Sequence, residues 1–147
     1  LAHKYGITHL SNFILFNYDD TLEDFYRRLQ INIELNEELG ISIFSFPMRY
    51  IPLDAKDRKY VGSNWTKTQL RGIQCILHAT HGVVGPKRKF FEAAFGRDVD
   101  EFKYIIEQPE EAIFYREKMR PYNTAPSRCE VSPWISRDII PIRPTTN

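Results

Sequence analysis

The sequence predicts a mixed α/β fold: a partial parallel (β/α) barrel contributing its last strands, then an all-helical extension, then an irregular tail. Three observations carry that prediction. Residues 11–53 read as strand, helix, strand. Residues 66 to about 118 hold only short amphipathic segments of helical period. From about Arg120 onward, five of the nine prolines crowd together and no period survives. The expected divisions are 1–53 for the barrel part, 54–119 for the helical extension and 120–147 for a disordered, proline-rich tail.

The first strand is expected over Asn12 to Phe16. Its apolar run suits a strand covered on both faces, as in parallel sheets. Asn17-Tyr18-Asp19-Asp20 forms the turn. Thr21 with Asp24 makes a capping box, and Leu22, Phe25, Tyr26, Leu29 and Ile33 recur at helical spacing. Gly40 stops that helix in a left-handed conformation. Ile41 to Phe46 is the second strand, with Pro47 ending its ladder. Strands joined by so long a helix should run parallel.

Asp54 to Asn64 is a polar, solvated loop. Thr66 with Gln69 is a second capping box, opening a helix with Leu70, Ile73, Ile76, Leu77 and Thr80 on one side. Lys87 to Phe95 forms a short helix stopped by Gly96. Asp98 caps another carrying Phe102, Ile105 and Ile106, and Pro109 starts a last one to about Lys118.

At 147 residues the chain is one domain by length, and its net charge of +1 sets up no global field toward nucleic acid or membrane. No apolar run approaches the roughly 20 residues that span a bilayer. Nothing resembles a signal peptide. Cys75 and Cys129 stand far apart, so a reducing, cytoplasmic compartment is expected. The chain starts at Leu1, and we expect it to be a piece of a longer protein.

The segment Phe13-Ile14-Leu15-Phe16-Asn17-Tyr18-Asp19-Asp20-Thr21, followed by Leu22-Glu23-Asp24-Phe25, Glu38-Leu39-Gly40 and Phe44-Ser45-Phe46-Pro47, resembles the late barrel of radical S-adenosylmethionine (radical SAM) proteins. The resemblance covers about a third of the chain. The family's two glycines in the fifth strand fall here at Asn12 and Phe16, and its cluster motif Cys-x-x-x-Cys-x-x-Cys is absent. The resemblance therefore implies the C-terminal part of a larger enzyme, inactive alone, with an N-terminal remainder as its partner. It implies a 4Fe-4S cluster, held outside this sequence, that cleaves S-adenosylmethionine to a 5′-deoxyadenosyl radical acting on an unknown substrate. It implies cofactor contacts from Ile14, Asp19 and Asp20, and substrate-side contacts from Arg49 and Tyr50. These residues also have plainer roles: Asp19 and Asp20 as caps, Ile14 as core, Arg49 as a loop anchor.

The alternative is a small α/β binding module for nucleic acid or a protein partner. Lys87, Arg88 and Lys89 would supply charge, with Trp65 as an aromatic platform beside Lys67 and Arg71. His78 and His81, three apart at the end of a helix, share a face that could grip one metal, but no third ligand is evident and the pair is expected as plain cations suited to the helix dipole. Cys75 reads as a small core residue. No phosphate loop, nucleophile elbow or dinucleotide fingerprint is present.

Overall fold

The computed structural model describes residues 1–114 and 116. A short 3-10 turn, Ala2–Tyr5, ends at Gly6 in the left-handed region. Strand β1 (His9–Phe16) leads to helix α1 (Leu22–Leu39), which returns the chain to strand β2 (Ser42–Arg49). The strands pair in parallel, from His9 opposite Ser42 to Phe16 opposite Arg49. Helices α2 (Lys67–Ala79), α3 (Arg88–Phe95), α4 (Val99–Glu107) and α5 (Glu110–Phe114) follow. The described residues are thus a mixed α/β arrangement of a two-stranded parallel sheet and five helices. No helix among them is long and apolar enough to cross a membrane. The expected last helix is present as α5 as far as Phe114; its expected end at Lys118 and the tail from Arg120, with Cys129, lie outside the described residues.

The local signals act as expected in the helices. Thr21 and Asp24 form the reciprocal capping box of α1, and Thr66 and Gln69 that of α2. Each box satisfies two backbone donors that a helix start leaves open. Gly40 ends α1 at φ 63°, where a side chain would be strained. Leu22, Phe25, Tyr26, Leu29 and Ile33 are all buried. They meet Phe91, Phe95 and Phe102 from α3 and α4 and Ile73 from α2 in one core. That core runs through both the strand–helix–strand unit and the helices after it.

Both strands are longer than expected. Pro47 does not end β2; it lies within it, opposite Ile14. The hydrogen bonds explain why. Ser42 N donates to Thr8 O and Tyr50 N to Phe16 O, so even-numbered residues of β2 aim their N–H at β1. Odd-numbered residues aim theirs away, as Ser45 does toward Val84 O at 3.0 Å. Pro47 thus lacks its N–H on the side where β1 does not need it.

Coverage of the sheet also differs from expectation. Helix α1 covers one face only. On the other, Phe13 is 74% exposed, Leu15 43%, Met48 49% and Phe44 37%. Phe13 and Phe46 touch across the strands on this face, with ring centroids 5.8 Å apart. The apolar run of β1 reflects two faces of different fate among the described residues: Ile14 and Phe16 are core, Phe13 and Leu15 are not.

Candidate functional site at the strand tips

The C-terminal ends of β1 and β2 meet at one rim, and Asn17 organises it. Its backbone takes φ 71°, a left-handed conformation that Asn tolerates better than most residues. Its side chain is fully buried. Nδ2 donates to Tyr50 O at 3.0 Å and Tyr60 O at 3.2 Å, while Oδ1 accepts from Gly62 N at 2.8 Å. One amide thereby joins the end of β1, the end of β2 and the loop before α2. Gly62 allows the approach: a Cβ there would sit 2.7 Å from Tyr18 O.

Asp20 is a structural anchor. It accepts from Tyr18 N at 3.0 Å and from Trp65 Nε1 at 3.2 Å, and it pairs with Arg28. Its oxygens are committed to the turn, to the Trp65 indole and to α1. Asp19 is different. It is exposed, and its backbone carbonyl, not its carboxylate, is tied down, by Asn64 Nδ2 at 3.1 Å. Among the described residues, Asp19 is therefore the rim carboxylate with freedom to meet a ligand. Ile14 is 5% exposed in the core beneath α1; the residues that β1 turns to the open face are Phe13 and Leu15.

Tyr50 sits with Tyr18, ring centroids 4.7 Å apart and edge-on, and with Tyr60 at 5.8 Å. Arg49 Nη2 donates to Tyr60 O at 2.7 Å, so that carbonyl serves both Asn17 and Arg49. The structure thus brings Asp19, Asp20, Arg49 and Tyr50 to one rim and leaves Ile14 behind it. Sequence reasoning places Asn17 in the turn at the strand tip but does not reveal its tie to the second strand, and it does not single out Tyr60. The available signal for Asn17 is its place directly after an apolar strand, where an amide can bond neighbouring backbone.

Beside the rim lies a cleft of about 830 Å³, walled by Arg49, the loop from Arg58 to Val61, the flank of α2 from Lys67 to His78, and α5. Cys75 borders it, and burial, with help from Glu110, pushes its thiol pKa up, so it stays protonated at neutral pH.

The other candidates sort by burial. Trp65 is 5% exposed and packs edge-on against Phe25, so it forms part of the core and not the expected surface platform. Arg88 is held by Glu37 through two hydrogen bonds of 2.8 and 2.7 Å. The bridging hydrogen bond holds the Glu37 carboxyl below its usual range. His78 and His81 do not share a helix face, because α2 ends at Ala79 and His81 takes φ 55°. His78 instead lies edge-on to Phe114 at 5.7 Å. Among the described residues no group of three or more His, Cys, Asp or Glu is placed to hold a metal ion.

No family model, curated protein or solved structure matches this chain. The parallel strand–helix–strand unit and its rim define the class directly: an α/β protein whose polar groups gather where parallel strands end.

Proposed function

We propose that this chain supplies the last strands of a parallel (β/α) barrel in a radical SAM protein, contributing S-adenosylmethionine and substrate contacts to a radical reaction. One observation carries the reading: β1 and β2 run parallel with their tips tied at one rim, and the sheet face turned away from α1 is apolar and uncovered among the described residues. In a barrel of parallel strands the helices lie outside, the opposite face lines the interior, and sites form at the strands' C-terminal ends. The N-terminal remainder would complete the barrel over Phe13, Leu15, Phe44 and Met48.

The residues present suit a nucleoside better than a cluster. An apolar face edged by the Tyr18 and Tyr50 rings and the free Asp19 carboxylate offers stacking surface and a hydrogen-bond acceptor for a ribose. On this reading Ile14 and Asp20 act as supports for the contacts and Asp19 makes one. The three thiolates that a 4Fe-4S cluster needs belong to the N-terminal remainder. Bound S-adenosylmethionine would supply hydrogen-abstracting chemistry; this chain's residues orient and shield it. A reducing, cytoplasmic setting belongs to the same reading, with Cys75 as a free thiol.

The test is the coding sequence upstream of Leu1 and the protein it encodes. A Cys-x-x-x-Cys-x-x-Cys motif should be encoded there, and the full-length protein should bind S-adenosylmethionine in equilibrium dialysis, more weakly when Asp19 is changed to Ala. An upstream region without that motif sinks the proposal.

A further inference from the structure

We propose that the cleft beside the strand tips is an oxyanion site, taking the carboxylate or phosphate of a small substrate. As a statement about substrate it rests on the radical SAM reading. As a binding site it is testable on this chain alone, so the two can fail separately.

Charge is the first ground. Arg49, Arg58, Lys59, Lys67 and Arg71 line the cleft, against Glu110 and Glu111. That leaves a surplus of three positive charges at one place, in a chain whose formal net charge is +1. Lys59 lies 3.7 Å from Asp57, but the other four cations have no carboxylate partner among the described residues.

The second ground is how the two inner arginines are held. Arg49 is fixed through Nη2 to Tyr60 O at 2.7 Å. Arg71 is fixed through Nη2 to Gln108 O at 2.8 Å. Backbone carbonyls orient both guanidinium groups without neutralising them. In each, Nε is buried and has no acceptor among the described residues. A guanidinium has five N–H donors in a rigid fork that matches the two oxygens of a carboxylate or phosphate. Leaving such donors buried and unpaired is costly, and a small rotation of the fork onto an incoming oxyanion would satisfy them.

The third ground is the wall. Val61, Leu70 and Phe114 give the cleft an apolar lining. Oxyanion contacts beside such a lining are screened less than on an open surface. The protonated Cys75 thiol adds no opposing charge. Arg49 belongs both to this cleft and to the strand-tip rim, so a ligand anchored here would lie next to the rim.

The experiment is calorimetric titration of the full chain with pyrophosphate and with citrate at low and moderate salt. Saturable binding that weakens with salt is expected. Tighter pyrophosphate binding assigns a phosphorylated substrate, and tighter citrate binding a carboxylate one. Arg58→Gln with Lys67→Gln changes two exposed side chains, so melting should be unaltered while affinity falls about three- to tenfold. Arg49→Lys keeps the charge and loses the fork, and should also weaken binding. No saturable binding of either anion to the folded chain would overturn the proposal, as would affinity unchanged in the double variant.

Discussion

The Asn17 side-chain amide donates to the Tyr50 carbonyl at 3.0 Å, so the tips of β1 and β2 are joined by a side chain as well as by the ladder. The same amide also serves Tyr60 O and Gly62 N. Asn17→Ala should therefore cost about 2–4 kcal/mol, because Tyr50 O and Gly62 N lose this partner while Tyr60 O keeps Arg49. Asn17→Gly removes the same bonds but accepts φ 71° freely, and should be about 1 kcal/mol less harmful than Ala. Urea denaturation of both variants checks this. An Ala variant with the wild-type midpoint would mean that the tie is incidental.

The two neighbouring aspartates should separate cleanly. Asp20→Asn disturbs the ion pair with Arg28 and the bond from Trp65 Nε1, and should lower stability by about 1–3 kcal/mol. Asp19→Asn touches an exposed carboxylate and should change stability by less than about 0.5 kcal/mol. Equal losses from both in thermal melts would contradict the assignment of Asp20 as anchor and Asp19 as free group.

Gly72 is where α2 meets α4. A Cβ at this position would lie 2.3 Å from Ile106 O and 2.6 Å from its Cα. Backbone atoms cannot yield as a side-chain tip can. Ala normally favours a helix over Gly by about 1 kcal/mol. Here Gly72→Ala should instead destabilise, by about 1–3 kcal/mol, as the helices are forced apart. A differential-scanning melt showing the variant to be as stable as wild type would refute the close packing.

Tyr26 sets an alkaline limit. Burial raises its phenol from 10.0 to about 12, with Asp98, Glu92 and Glu101 adding to the effect. The hydroxyl donates to Gly96 O at 2.9 Å. In the unfolded chain the phenol ionises near 10, so between pH 10 and 12 the unfolded state holds fewer protons and stability falls as pH rises. Tyr26→Phe should flatten that fall in a pH series of denaturation midpoints. On the acid side, the hydrogen bond from Lys103 holds Glu23 below its usual range, and that from Arg88 does so for Glu37. Their contributions are present above the ordinary carboxylate pKa and are lost as pH drops below it.

The helices and the parallel pair were legible in the sequence because their signals are local. Capping boxes, glycine stops and apolar spacing act within one or two turns, and Thr21, Gly40 and Thr66 play the parts their spacing implies. Asn32 and Asn36 were not legible. They lie four apart on the buried stripe of α1, bonding Ser45 Oγ at 2.8 Å and Ile43 N at 2.7 Å. Their only sequence trace is that an amide in mid-helix is disfavoured unless it finds a partner.

The sequence by itself determined which segments form helices and strands and that β1 and β2 run parallel, because periodicity and a long crossover leave few alternatives. Tertiary structure alone decided the duties of similar residues: Asp20 bound and Asp19 free, Ile14 buried and Phe13 bare, Trp65 inside the core. It also decided that Arg49 and Arg71, distant in sequence, face one cleft. The reason is that a residue's own neighbours fix its backbone, whereas its burial and its partners depend on segments that only folding brings near.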